Sequence, residues 1–205
     1  MHKFINNCTG VILAGGENTR MPVPKSFIEV DGKTIIKRNL ETFGQLFEKN
    51  YIVTNQPELY AHLDTPMFGD IYDIRGPMTG IFTALFNSST EWIFVSACDM
   101  PFINRELITY MAGMRKKYDA VVPESPGGQG GNYAEPLFAF YSRSLLLSME
   151  KSLLTGKKGL KDFLTGKKVK YINSKEVNKV DAGARSFINL NTPEDVNLYL
   201  HYRIY

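Results

Sequence analysis

The chain has 205 residues, 43% hydrophobic and 22% charged, with a net charge of +3 at neutral pH. That length suits one full core and predicts a single domain over residues 1–205. The small charge gives no footing for nucleic acid, and no apolar run approaches the roughly 20 residues that span a bilayer.

The opening "MHKFINNCTG" lacks the apolar core of a secretory signal, so a cytoplasmic protein with no membrane partner is expected. "GVILA" (10–14) reads as a buried strand, and Gly15 and Gly16 break it. "TIIKRNLETFGQLF" (34–47) sets Ile35, Ile36, Leu40, Phe43, Leu46 and Phe47 at helical spacing. "YIVT" (51–54) is a second strand. In "GPMTGIFTALFNS" (76–88), Pro77 opens a helix with Ile81, Leu85 and Phe86 on one face.

"WIFVSA" (92–97) is another buried strand, and Asn104 caps a helix over "NRELITYMAGMRKKY" (104–118). "DAVVP" (119–123) and "PLFAFY" (136–141) are further strands, separated by a mobile Gly-rich loop, "SPGGQGGNY" (125–133). "KKGLKDFLTGKKVKYI" (157–172) reads as a short helix and a strand. In the closing stretch Thr192 caps a helix, Pro193 opens it, and Glu194 and Asp195 sit where the macrodipole favours acids. Tyr199, Tyr202 and Tyr205 share one face of it and are expected to pack on the core, the alternative being a subunit contact.

Strands alternating with helices predict a doubly wound α/β domain, Rossmann-like, with a mostly parallel sheet covered on both faces. Such sheets bind ligands beyond the carboxyl ends of their strands, here the loops after Ala14, Thr54 and Ala97. Cys8 and Cys98 lie too far apart in sequence for a disulfide framework and read as structural thiols. His2, His62 and His201 share no ligand spacing, so no zinc site is assigned. Residues 151–179 hold nine lysines against Asp162 and Glu176. This is either a solvated face or a landing surface for an anionic substrate or an acidic partner.

The glycine turn fits neither GxxxxGK[ST] nor GxGxxG. It can still cradle a triphosphate, because Gly15 and Gly16 let backbone N–H groups approach phosphate oxygens. Arg20 would fork onto two oxygens and Lys25 would act as a point charge. Pro22 and Pro24 stiffen the path between them. The competing reading is an ordinary strand-to-helix turn with surface cations. Asp99, just past 92–97, falls on the same sheet edge, and one carboxylate on a rigid strand end suits a Mg²⁺ site completed by phosphates and water.

These residues also carry a resemblance. "LAGGENTRMPVPK" is similar to the LAGGxSxRMGxxK signature of the molybdenum cofactor guanylyltransferases and their nucleotidyltransferase relatives. "GPMTGI", "CDMPF" and "INLNTPEDV" resemble that family's later segments, in the same order, from Leu13 to Val196. The resemblance implies a nucleotide-diphospho-sugar-transferase-like fold. It also implies a reaction in which GTP and molybdopterin or its molybdenum-loaded form give the guanine dinucleotide cofactor and pyrophosphate.

Carried over by position, Leu13, Ala14 and Gly15 meet the nucleotide through their backbone, and Lys25 is the phosphate lysine. Asp99 holds Mg²⁺ and touches GTP. Asp70 contacts the nucleotide, with Asp73 close enough to blur the register, and Asn55 lies near the base or ribose. Asn189 and Asn191 face the pterin or assist the metal. Pro22 replaces the usual Gly, and Asn18-Thr19 shifts the usual hydroxyl.

Guanine selectivity is expected from backbone groups at 13–15 and around 76–80. The 125–133 loop and "AEPLF" (134–138) either line the pterin side or are simply loop and core strand. A terminal phosphate is already an anion and needs no general base, in keeping with motifs that contain no histidine. Molybdoenzymes and other cofactor-biosynthesis proteins are the partners such an enzyme would meet. The alternatives are cytidylyl transfer to the cofactor, a sugar- or polyol-phosphate acceptor, or a non-catalytic nucleotide-binding carrier.

Overall fold

A computed structural model describes residues 4–15, 24–126, 131–156 and 159–200. Strand β1 (Cys8–Leu13) is followed by a 3₁₀ turn at Lys25–Phe27, a short hairpin of β2 (Glu29–Val30) and β3 (Lys33–Thr34), and helix α1 (Ile35–Leu46). Next come β4 (Lys49–Val53), β5 (Met67–Phe68), α2 (Pro77–Asn87), β6 (Trp92–Ala97) and α3 (Arg105–Ala112). Then follow β7 (Ala120–Pro126), β8 (Asn132–Ala134), β9 (Phe138–Ser142), α4 (Leu146–Leu154), α5 (Leu160–Thr165), β10 (Val169–Ile172), α6 (Ser174–Val180) and α7 (Pro193–Leu200).

The main sheet runs β10-β7-β9-β6-β1-β4-β5, with β8 paired to β7. Pairs β1/β4, β1/β6, β4/β5 and β7/β10 are parallel, whereas β9 is antiparallel to both β6 and β7. The reversal has a simple cause. The chain turns back once, between β7 and β8, without a crossover helix, and β8 and β9 then run along β7 in one direction, opposite to it.

Successive residues of each strand enter opposite cores. Ile12, Ile52, Phe94, Phe138 and Phe140 meet α1, α3 and α6 on one face. Val11, Val53, Ile93, Val95 and Tyr141 meet α2, α4 and α5 on the other. Gly10 makes the first contact possible, since a Cβ there would lie 2.6 Å from Phe47 and 2.8 Å from Phe43. A small third cluster, Ile28, Val30, Ile35 and Leu190, ties the β2–β3 hairpin to the C-terminal segment. Among the described residues, no helix is long and apolar enough to cross a membrane.

Several expectations need correction. Phe86 is 55% exposed and leaves the α2 face to Ile81 and Leu85. The helix over 104–118 ends at Ala112, because Gly113, a weak helix former, takes its C-cap. The expected loop at 125–133 contributes the end of β7 and most of β8. Helices α4 and α6 were not anticipated, although α6 carries a legible capping box in Asn173 and Glu176. Tyr199 packs against the third cluster. His2, His201, Tyr202 and Tyr205 lie outside the described residues, as do 127–130 of the Gly-rich loop.

Candidate active site

Parallel β1, β4 and β6 finish on one rim of the sheet. Their ends are locked together: Ala14 N–H donates to the Val53 carbonyl at 2.8 Å, and Cys98 N–H donates to the Leu13 carbonyl at 3.1 Å. Ala14 is buried, Leu13 is half-buried, and Gly15 stands exposed at the rim.

Lys25 reaches this rim from a turn held by its neighbours. Ser26 is buried and shares a 3.0 Å hydrogen bond with the Tyr60 hydroxyl, and the Phe27 ring stacks on Tyr60 at 5.3 Å. The Lys25 ammonium donates to Asn191 Oδ1 at 2.6 Å and lies 3.5 Å from Asp99 Oδ2. The two charged side chains are only 24% and 17% exposed, so water screens the pair weakly. Leu190 N–H donates to the Asp99 carbonyl at 3.1 Å. Asp195 Oδ2 accepts from the N–H groups of Asn191 and Thr192, each at 2.9 Å, while Thr192 Oγ1 accepts from Asp195 N–H at 3.2 Å. The C-terminal segment therefore grips the backbone of one charged residue and the side chain of the other.

A second group forms two strands away. Asn55, past the end of β4, accepts from Asp70 N–H at 2.8 Å and donates to Asp70 Oδ2 at 2.9 Å. Asp70 Oδ1 is buried and has no hydrogen-bond partner among the described residues. Burial pushes this carboxyl above its ordinary value, and the Asn55 bond opposes the shift. Gly80 of α2 lets the helix close over this corner. A Cβ there would sit 3.2 Å from the Leu13 side chain and 3.9 Å from Asp70 Oδ1. Asp73 is exposed and has no part in this pair.

The structure thus brings together Lys25, Asp99 and Asn191, and separately Asn55, Asp70, Leu13 and Gly80. Asn189 stays apart, donating to the Phe187 carbonyl at 3.1 Å. Gly16, Asn18, Thr19, Arg20 and Pro22 lie outside the described residues. Sequence reasoning missed Asp195 as a clamp. It read that side chain as a macrodipole acid, yet Thr-x-x-Asp also spells a capping box.

The chemistry available is that of charge and position. Burial, with the Asp99 charge beside it, pushes the Cys98 thiol up to about 12, so it stays protonated and is no nucleophile. Among the described residues there is no cluster of three or more His, Cys, Asp or Glu fit to hold a metal. Asp99 supplies the carboxylate beside Lys25, and one carboxylate on a strand end suits a hard cation completed by phosphate oxygens and water.

Known proteins resemble this chain along most of its length. Residues 10–173 match the family model of the MobA-like NTP transferase domain. A molybdenum cofactor guanylyltransferase of Desulfosudis oleivorans is 36% identical over 190 residues, 92% of each chain. A probable molybdenum cofactor guanylyltransferase of Peptoclostridium acidaminophilum is 32% identical over 198 residues, 93% of this chain and 87% of its own. Among solved structures, the molybdopterin-guanine dinucleotide biosynthesis protein A of Archaeoglobus fulgidus superposes with a TM-score of 0.80 at 26% identity, covering 95% of this chain and 97% of its own. The 4-diphosphocytidyl-2C-methyl-D-erythritol synthase of Anaerococcus prevotii, at TM-score 0.70 and 18% identity, shares the fold. With the family model and the relatives both spanning most of its length, the chain belongs to the MobA-like NTP transferases, among the molybdenum cofactor guanylyltransferases.

Proposed function

We propose that this protein, as a single cytoplasmic nucleotidyltransferase domain, transfers GMP from GTP to the terminal phosphate of molybdopterin or the molybdenum cofactor, releasing pyrophosphate. The observation that carries this reading is the meeting of Lys25, Asp99 and Asn191 on the rim, 3.5 Å and 2.6 Å from one ammonium. The nucleoside group of Asn55 and Asp70 lies two strands away on the same rim.

Two anions must approach for attack at the α-phosphorus. The attacking phosphate is already ionised and needs no base, so the protein's work is positioning and charge neutralisation. Lys25 offsets charge on the polyphosphate, helped by Arg20, and the backbone at Leu13–Gly15 together with Gly16 carries the phosphates past β1. Asp99 with phosphate oxygens would hold Mg²⁺, which supplies further neutralisation when bound. Asp70 reads the base. Its unpartnered Oδ1 calls for a donor, and guanine offers N1–H and the 2-amino group side by side. Asn189 and Asn191 belong to the acceptor side.

The test is a panel of nucleoside triphosphates with molybdopterin as acceptor, read as pyrophosphate release. GTP with molybdopterin should be the productive pair. Faster turnover with CTP, or with a sugar or polyol phosphate as acceptor, would overturn the assignment. Binding of GTP without product would favour a carrier.

A further inference from the structure

Along the rim the strands fall in the order β4, β1, β6, β9. Asn55 follows β4, the glycine turn follows β1 and Asp99 follows β6. Because β9 runs antiparallel to β6, it begins where β6 ends, and Ala97 N–H donates to the Leu137 carbonyl at 3.0 Å. The segment just before β9 therefore lies on the side of Asp99 away from the nucleoside, with Glu135 bonded to Pro123 and Ser125 of β7, the strand beyond β9. That segment presents one carboxylate, Glu135.

Glu135 is held firmly. Its N–H donates to the Pro123 carbonyl at 2.9 Å, and its carbonyl accepts from Phe138 N–H at 3.0 Å. Tyr141 fastens the next residue by donating from its hydroxyl to the Pro136 carbonyl at 2.6 Å. The side chain is half-buried. Ser125 donates to Oε1 at 2.6 Å and is the carboxylate's one hydrogen-bond partner among the described residues. No described cation lies within ion-pair distance, the nearest influence being Lys161. A rigid, half-buried carboxylate with an oxygen to spare calls for a donor from outside.

The acceptor's chemistry says which part could supply it. Phosphate and dithiolene are anionic and would be repelled. The pterin edge is the exception, because its 2-amino-4-oxopyrimidine carries N3–H and an amino group as two parallel donors. We propose that Glu135 recognises this edge of the pterin, seating the acceptor so that its phosphate points back toward Asp99 and Lys25. This rests on the guanylyl-transfer reading for the acceptor's identity. Glu135 then does for the pterin what Asp70 does for guanine, on opposite flanks of the reacting phosphates.

The test compares wild type with Glu135→Ala, Glu135→Gln and Ser125→Ala by direct anaerobic titration with molybdopterin, alongside GTP affinity. Loss of a charge-assisted pair predicts that both Glu135 variants bind molybdopterin about 10–100-fold more weakly, with GTP affinity changed less than about twofold. A simple phosphate-free pterin should compete in wild type and fail in Glu135→Ala. Ser125→Ala should stay within about threefold of wild type, since it leaves the carboxylate in place.

Unchanged molybdopterin affinity in the Glu135 variants would overturn the proposal. So would an equal loss in Ser125→Ala, which would make Glu135 a brace for the β7–β8 hairpin. A wild type that binds molybdopterin but makes no dinucleotide would defeat the transfer reading, while the titration would still judge Glu135. A wild type that binds no molybdopterin would defeat both.

Discussion

At the scale of single residues, the site is a set of charges held where water screens them poorly. Asp99→Ala should cut dinucleotide formation on the order of 10²–10³-fold or more while leaving the circular dichroism spectrum intact. Wild-type turnover at saturating Mg²⁺ would end the metal assignment. Lys25→Ala should weaken GTP binding and slow turnover together, since in the proposed reading the same ammonium meets the triphosphate before and during transfer. Asp70 and Glu135 add a pH signature. Burial raises both carboxyls, so each holds its proton more tightly when folded, and ionising it costs stability as pH climbs past the ordinary carboxylate range. Glu135→Gln removes that cost. Its Tm should exceed wild type at about pH 7, and the gap should shrink toward about pH 4. Lys25 and Asp99 were legible in sequence because each stands just past a recognisable buried strand or its turn. Asn55 and Asp70 came only through the family resemblance, with Asp73 blurring the register, and it is the coordinates that join Asp70 to Asn55 and leave Asp73 exposed.

At the scale of elements, the clamp at the start of α7 does more than begin a helix. One carboxylate oxygen of Asp195 holds two N–H groups, and the turn it fixes delivers Asn191 to Lys25. Asp195→Ala should lower kcat severalfold by loosening that delivery, and Asp195→Asn should recover most of the loss, since an amide oxygen accepts the same two bonds. Equal rates in both variants would mean that the clamp is not a device for positioning. The strand-length apolar runs made β1, β4, β6, β9 and β10 readable. Helices α4 and α6 escaped because the exposed Leu147 and Leu154 blur the apolar stripe of "RSLLLSMEKSLL" and "SKEVNKV" has one buried side chain, Val177. Neither offers the clean stripe that marks α1.

At the scale of the whole molecule, the alternation of elements gave the doubly wound layout, while the antiparallel entry of β9 depended on a missing crossover that periodicity does not register. The sheet's packing can be tested at Gly10. Gly10→Ala forces a methyl against Phe43, Phe47 and Asn50 and should destabilise the fold by about 1–3 kcal/mol in urea titration, without altering the ratio of GTP to molybdopterin affinity. Of the lysines at 151–179, none of the described ones is buried.

The bond between Lys25 and Asn191 joins positions 166 residues apart, and the anchor beneath it is the little cluster of Ile28, Val30, Ile35 and Leu190, separate from the two large cores. A tether resting on so few apolar side chains should let go before the body of the protein melts. Mild denaturant should then silence the enzyme at concentrations where Trp92, buried in the main core, still fluoresces as native. Catalytic competence in this chain would thus be its most fragile property, lost first and regained last.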